Sequence, residues 1–189
     1  MSRAYRIRVS ETLSRTLRAE DEIGTCLEVL EVLPPEQMAQ LLREELERRG
    51  FQAEDGRLVR REGGVTTAVD PATGTVTIRA EADRDIELEG RREGLAYDDL
   101  GPGEKSVRRA LQKQAQEDLE KQAEHEQSKL QAEATGRLEG HLADLQKELN
   151  QAVNRVTAEA LKRKAAQLGQ IKEMTEDPQS GSLTIKIEV

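Results

Sequence analysis

From Glu104 to Thr175 apolar residues recur in steps of three and four, and no proline interrupts them. Leu138, Leu142, Leu145, Leu149, Val153, Val156 and Ala160 form one stripe, the pattern of a single buried helix face. Leu161, Ala165, Leu168 and Ile171 continue it with a small drift. An earlier stripe of Val107, Leu111, Ala115, Leu119, Ala123, Leu130 and Ala134 is weak at its centre, from His125 to Ser128. The stretch is crowded with Ala, Leu, Glu, Gln, Lys and Arg, the strongest helix formers. Helices gain most of their stability by packing one face, so each stripe needs a partner, and the nearest candidate is the other. A single helix of this length would span roughly 105 Å and carry the final strand away from the rest. The pattern therefore predicts a helical hairpin, coiled-coil-like, turning at Thr135-Gly136 or Glu139-Gly140. The alternative is that these two glycines let helices approach closely.

Elsewhere the period is two. Tyr5, Ile7 and Val9 alternate with Arg6, Arg8 and Ser10, predicting a half-buried strand. Leu13 and Leu17 suggest a second over Thr12 to Arg18, with Glu20 to Gly24 as a polar turn. A third, dense in apolar residues and so expected to be central, runs from Thr25 to Val32. It holds Cys26, expected to be buried and inert because a reactive thiol needs an accessible, electropositive setting. Pro34-Pro35 opens a helix whose buried face is Met38, Leu41, Leu42, Leu46 and Phe51, and Gly50 stops it. Strands follow at Arg57–Glu62, Val65–Asp70 and Gly74–Glu81, the last two joined by the turn sequence Asp70-Pro71-Ala72-Thr73-Gly74. Ile86 and Leu88 mark a further short strand, and Arg91 to Gly103 reads as a joint ending in the breaker Gly101-Pro102-Gly103. After a second break, Glu176 to Gly181, the residues Leu183, Ile185, Ile187 and Val189 alternate with polar ones. A lone strand is not stable, so this one is expected to join the N-terminal sheet. The fold class is α+β: a small antiparallel-rich sheet domain, residues 1–103 plus 181–189, with a helical hairpin arm, residues 104–175, inserted before the last strand.

Composition narrows the class of function. Charged residues make up 35% of the chain, which fits an exposed helical arm better than a compact enzyme. Residues 1–103 carry 15 Arg, no Lys and 22 acidic residues; residues 104–189 carry 14 basic and 15 acidic. Neither half is a basic surface, which argues against phosphate-driven nucleic-acid affinity. The run Lys162-Arg163-Lys164 reads as a solvated helix face. One cysteine allows no intrachain disulfide, and the sequence MSRAYRIRVS has no apolar signal core. No apolar run reaches the length of a membrane span. The expectation is a soluble protein of a reducing cytoplasm.

No constellation points to a reaction. His125 and His141 stand apart, without an HExxH or ExxH spacing, so no metal site is expected. Neither glycine-rich phosphate motif is present, and Gly103-Glu104-Lys105-Ser106 lacks the spacing and the preceding strand. Ser10, Ser14 and Ser180 have no histidine nearby in sequence to activate them. The reading is a binding protein and not an enzyme, without cofactor. The alternative is an enzymatic or nucleotide-binding site hidden in the sheet domain. An unequal pair of stripes leaves apolar surface partly covered, and such patches mark partner sites. The candidate partner-binding residues are therefore Leu138, Leu142, Leu145, Leu149, Val153, Val156, Leu161 and Leu168, for a protein partner or a second copy.

The segments AYRIRVSETL, VLPPEQMAQLLREELERRGF and GSLTIKIEV are similar to those of small accessory proteins of bacterial three-component systems. Those systems combine an FtsH-like or MoxR-like ATPase with a von Willebrand A protein. The resemblance implies an accessory or recognition component working beside an AAA+ ATPase in a bacterial defence or conflict pathway. It carries over no catalytic residue.

Overall fold

The computed structural model describes residues 4–97, 103–177 and 182–188. It confirms the α+β class: five strands form one sheet in the order β1-β5-β4-β3-β2, accompanied by two helices and a separate two-stranded sheet. The strands are β1 (Ala4–Cys26), β2 (Gln52–Glu54), β3 (Arg57–Glu62), β4 (Val65–Val69), β5 (Thr75–Tyr97), β6 (Gln170–Asp177) and β7 (Ser182–Glu188). The helices are α1 (Pro35–Arg48) and α2 (Glu104–Leu168). The described chain divides into two compact units, Met1–Glu20 with Glu81–Thr135 and Asp21–Ala80 with Gly136–Val189.

In the first unit the N-terminal part of β1 lies beside β5. The cross-strand pairs Arg8–Glu93, Ser10–Glu89 and Thr16–Asp85 run in opposite senses, as antiparallel neighbours must. Side chains of a strand alternate between faces, so Ile7, Val9, Leu17 and Ala19 share one face with Ala82, Ile86 and Ala96 of β5 across the ladder. The first part of α2 buries Leu111, Ala115, Leu119, Ala123, Leu130 and Ala134, with Leu111 in one apolar cluster and Ala123, Leu130 and Ala134 in another. Close approach needs small residues. A Cβ on Gly90 would sit 3.1 Å from Leu119 Cγ, and one on Gly94 would sit 3.0 Å from Leu111 Cδ1. Ion pairs flank the seam: Arg84 to Glu133 at 2.7 Å, Arg15 to Glu120 at 3.4 Å, and Arg92 to Asp118. Gln127 and Gln131 of α2 donate to the backbone carbonyls of Arg18 (2.8 Å) and Glu20 (2.9 Å) on β1, the outermost strand.

In the second unit β2 to β5 form an antiparallel meander with Leu58 opposite Val69, Val69 opposite Val76 and Val65 opposite Ala80. The Asp70 carboxylate accepts from the Ala72 N–H at 2.9 Å and closes the β4–β5 turn. That bond holds its carboxyl below the usual range. One core joins this sheet to Met38, Leu41, Leu42 and Leu46 of α1 and to Leu138, Leu145, Leu149, Ala152, Val156 and Ala160 of α2. α1 ends in a Schellman motif: the Phe51 N–H bonds Leu46 O, the Gly50 N–H bonds Glu47 O, and Gly50 has φ +87°. Phe51 then enters the same core.

Several expectations are corrected. α2 is one continuous helix, with no turn at Thr135-Gly136 or Glu139-Gly140. Each apolar stripe does have a partner, but it is sheet surface within its own unit and, in the second unit, also α1. Gly136 and Gly140 are exposed helical positions, and a Cβ on either meets nothing within 4 Å. The helix stops at Leu168, seven residues short of Thr175. A Cβ on Gly169 would collide with the Glu188 carbonyl oxygen, so only glycine lets the chain turn into β6 there. β7 pairs with β6, Ile171 opposite Ile187 and Met174 opposite Ile185, and not with the N-terminal sheet. The two compact units each take about half of α2.

At the N-terminus the two expected strands and the polar turn are one strand. An outer strand with a solvated face tolerates the polar run Glu20 to Gly24, and Glu22 pairs across to Arg79 at 2.9 Å. The expected central strand is absent past Cys26. Leu27 to Leu33 is irregular, and its apolar content packs Leu27, Val29 and Val32 against the core while Leu30 stays exposed. Cys26 is exposed, not buried. Ile86, Leu88 and the start of the expected joint belong to β5, whereas Gly101-Pro102, Pro178 to Gly181 and Val189 lie outside the described residues.

Candidate interaction surface

The structure separates the eight candidate partner-binding residues. Leu138, Leu145, Leu149 and Val156 are buried in the second unit's core, Leu142 and Val153 are half-buried, and Leu161 and Leu168 are exposed. The stripe is mainly the inner face of α2, and only its C-terminal end faces outward.

The polar structure around this stripe was not legible as a site. Arg60 on β3 grips Glu148 on α2 with two prongs, Nη1 to Oε1 at 2.8 Å and Nη2 to Oε2 at 2.7 Å. The same guanidinium lies 4.6 Å from the centre of the Phe51 ring and donates to Arg49 O at 3.2 Å. Arg49 in turn donates to Glu148 O at 3.3 Å. Hydrogen bonding from Arg60 holds the Glu148 carboxyl below its ordinary range, although partial desolvation acts the other way. A planar fork matched to a carboxylate fixes geometry in a way that lysine cannot.

Next to it, α1 and the 155–163 part of α2 enclose an open groove of about 500 Å³, lined by Leu41, Glu45, Arg48, Arg155, Glu159 and Arg163 among others. Glu45 is 2% exposed. Its carboxylate meets Arg49 Nε at 2.8 Å, Arg48 Nη1 at 3.3 Å and Arg155 Nη1 at 3.8 Å. The sequence signal is visible in retrospect: Glu45 falls on the apolar side of α1, four residues after Leu41, with arginines three and four residues further on. The Lys162-Arg163-Lys164 run is a partly solvated face as expected, but Lys162 and Arg163 also line this groove.

A second charged surface belongs to the first unit. On the β5 face turned away from α2, Asp83, Asp85, Glu87, Glu89 and Glu93 recur at every second position or its multiple. Hydroxyls of β1 answer two of them, Ser10 to Glu89 at 3.1 Å and Thr16 to Asp85 at 2.6 Å. His125 is exposed on α2, and His141 is half-buried beside Gly63. No group of three or more His, Cys, Asp or Glu placed to hold a metal occurs among the described residues. No described helix is long and apolar enough to cross a membrane.

These features define the class: an α+β protein with a five-stranded antiparallel sheet, one short helix and one helix of 65 residues. The chain matches the family described as FtsH ternary system domain X5 over residues 1–189, and it belongs to that family. No curated protein and no solved structure matches it.

Proposed function

We propose that the chain is a non-catalytic accessory component of an FtsH ternary system, acting as an adaptor through protein–protein contact with the AAA+ ATPase machinery in the cytoplasm. The observation that carries this reading is the family match over residues 1–189, since a ternary system is by its description multi-component. The charged groove beside α1, whose Arg48 and Arg155 side chains are 65% and 73% exposed, adds support as a surface left available to a partner.

The test is co-expression of the full chain with an FtsH-like ATPase and a von Willebrand A protein, taken from the neighbouring genes where these encode them. Stoichiometric co-purification, together with no ATP hydrolysis above buffer when the chain is assayed alone, is the expected result. Hydrolysis of nucleotide by the isolated chain, or a large thermal stabilisation by one nucleotide or metal, would favour an enzymatic reading instead, because a ligand that binds only the native state stabilises it.

A further inference from the structure

We propose that the groove between α1 and the 155–163 segment of α2 receives an acidic polypeptide segment of a protein partner, whose carboxylates pair with Arg48 and Arg155. This deepens the adaptor reading and rests on it. Three guanidinium groups converge on one carboxylate: Arg49, Arg48 and Arg155 all lie within 3.8 Å of Glu45. Glu45 is almost wholly buried, and Arg49 satisfies it at 2.8 Å with a side chain only 16% exposed. Arg48, whose Nε also donates to Glu44 O at 3.2 Å, and Arg155 are held at longer range by a carboxylate already engaged, and both remain mostly exposed. Arg163 reaches Glu159 at 3.4 Å and Glu44 at 3.9 Å, so these two acids are shared and leave the excess at the Glu45 end. The local surplus is positive on a chain whose formal net charge is −8. Glu45 thus orients the arginines without neutralising them.

An incoming carboxylate offers each exposed guanidinium a shorter, two-pronged bond than Glu45 does, and charge-assisted forks of this kind are among the stronger polar contacts. The acidic field of the whole protein selects the class of anion. A nucleic acid would bring a continuous run of phosphates against that field, whereas a short acidic segment needs to place only two or three carboxylates. The groove, about 500 Å³ and open, has room for side chains of that number.

The experiment uses the full chain and a fluorescein-labelled decapeptide rich in Glu and Asp, read by anisotropy at low and moderate salt. Expected are saturable binding that weakens as salt rises, a loss of at least tenfold in Arg48→Glu/Arg155→Glu, and a smaller loss in Arg48→Gln/Arg155→Gln. Circular dichroism melts establish that both variants fold, and the Gln pair stands in if the Glu pair does not. Equal binding by a folded double variant overturns the proposal. So does tighter binding of a labelled single-stranded 20-mer, or a change in solution mass on substitution with peptide binding unaltered. Co-purification with the ternary components is scored separately. If wild type and double variant co-purify equally, the groove proposal fails and the adaptor reading stands. If neither engages the components while the peptide still binds through the arginines, the adaptor reading fails and the groove assignment stands.

Discussion

Arg60 and Glu148, 88 positions apart in the chain, face each other through two parallel hydrogen bonds of 2.8 and 2.7 Å. Neither side chain is more than about a quarter exposed. Removing one partner leaves the other half-buried and unmatched, so Arg60→Ala and Glu148→Ala should each cost about 2 kcal/mol at neutral pH. The pH dependence follows from the depressed Glu148 carboxyl. Its contribution is present above the unfolded-state value of about 4.3 and is lost as pH falls through the lower folded-state value. Thermal melts from pH 7 to pH 3 should show a steeper acid loss in wild type than in Arg60→Met/Glu148→Leu. Parallel profiles would show that the pair contributes nothing to acid stability.

Gly136 and Gly140 distinguish a continuous α2 from a turn. Both sit mid-helix with open space around the position of a Cβ. Gly136→Ala and Gly140→Ala should each stabilise by about 0.5–1 kcal/mol, through helix propensity and a less flexible unfolded chain. A denaturant midpoint that moves downward in either variant contradicts the helix at that residue.

Gly90 and Gly94 should respond in the opposite sense. A side chain at either presses on Leu119 or Leu111 across the seam of the first unit. Gly90→Val and Gly94→Val are expected to destabilise by about 1–3 kcal/mol, the range for overpacking. Leu119→Ala combined with Gly90→Val should recover part of the loss, and the absence of recovery would separate the cost from this contact.

Along the second stripe of α2, substitution cost should follow burial. Leu149→Ala opens a cavity in the core and should cost about 2–5 kcal/mol. Leu168→Ala, at a side chain 58% exposed, should stay within about 0.5 kcal/mol. Equal costs in urea unfolding would mean that the C-terminal end of the stripe is covered in solution.

Cys26 lies at the end of β1 with an exposed side chain, its thiol 3.6 Å from Thr73 O. Native protein should therefore react with a maleimide within minutes, close to the rate of unfolded protein. Protection of the thiol until denaturation would place it inside.

Period-two and period-3.6 patterns carried much of this fold. The strands β3 and β4, the turn from Asp70 to Gly74, the buried face of α1 and both stripes of α2 were all legible in them. What those patterns do not encode is the identity of the covering surface. The stripe around Leu119 reports burial, and a sheet satisfies it as well as a helix does. The signal for the sheet lay in Gly90 and Gly94, since glycine inside a strand often marks a close approach of another element. The apolar run Leu27 to Val32 misled because irregular chain can also deliver side chains to a core. The groove was hidden because its charges read as ordinary helix surface until Glu45 is seen to be buried.

The second unit is built from two stretches of chain, Asp21–Ala80 and Gly136–Val189. On the ribosome, Met38 to Val76 emerge first, and the part of α2 that covers them, beginning at Leu138, is made some 60 residues later. At about 5–20 residues per second, the nascent sheet and α1 wait several seconds with the α2 side of their core, around Leu58, Val69 and Val76, incomplete. Yield in the cell should therefore depend on translation speed between residues 80 and 140 and on holding chaperones, even for variants whose finished fold is as stable as wild type.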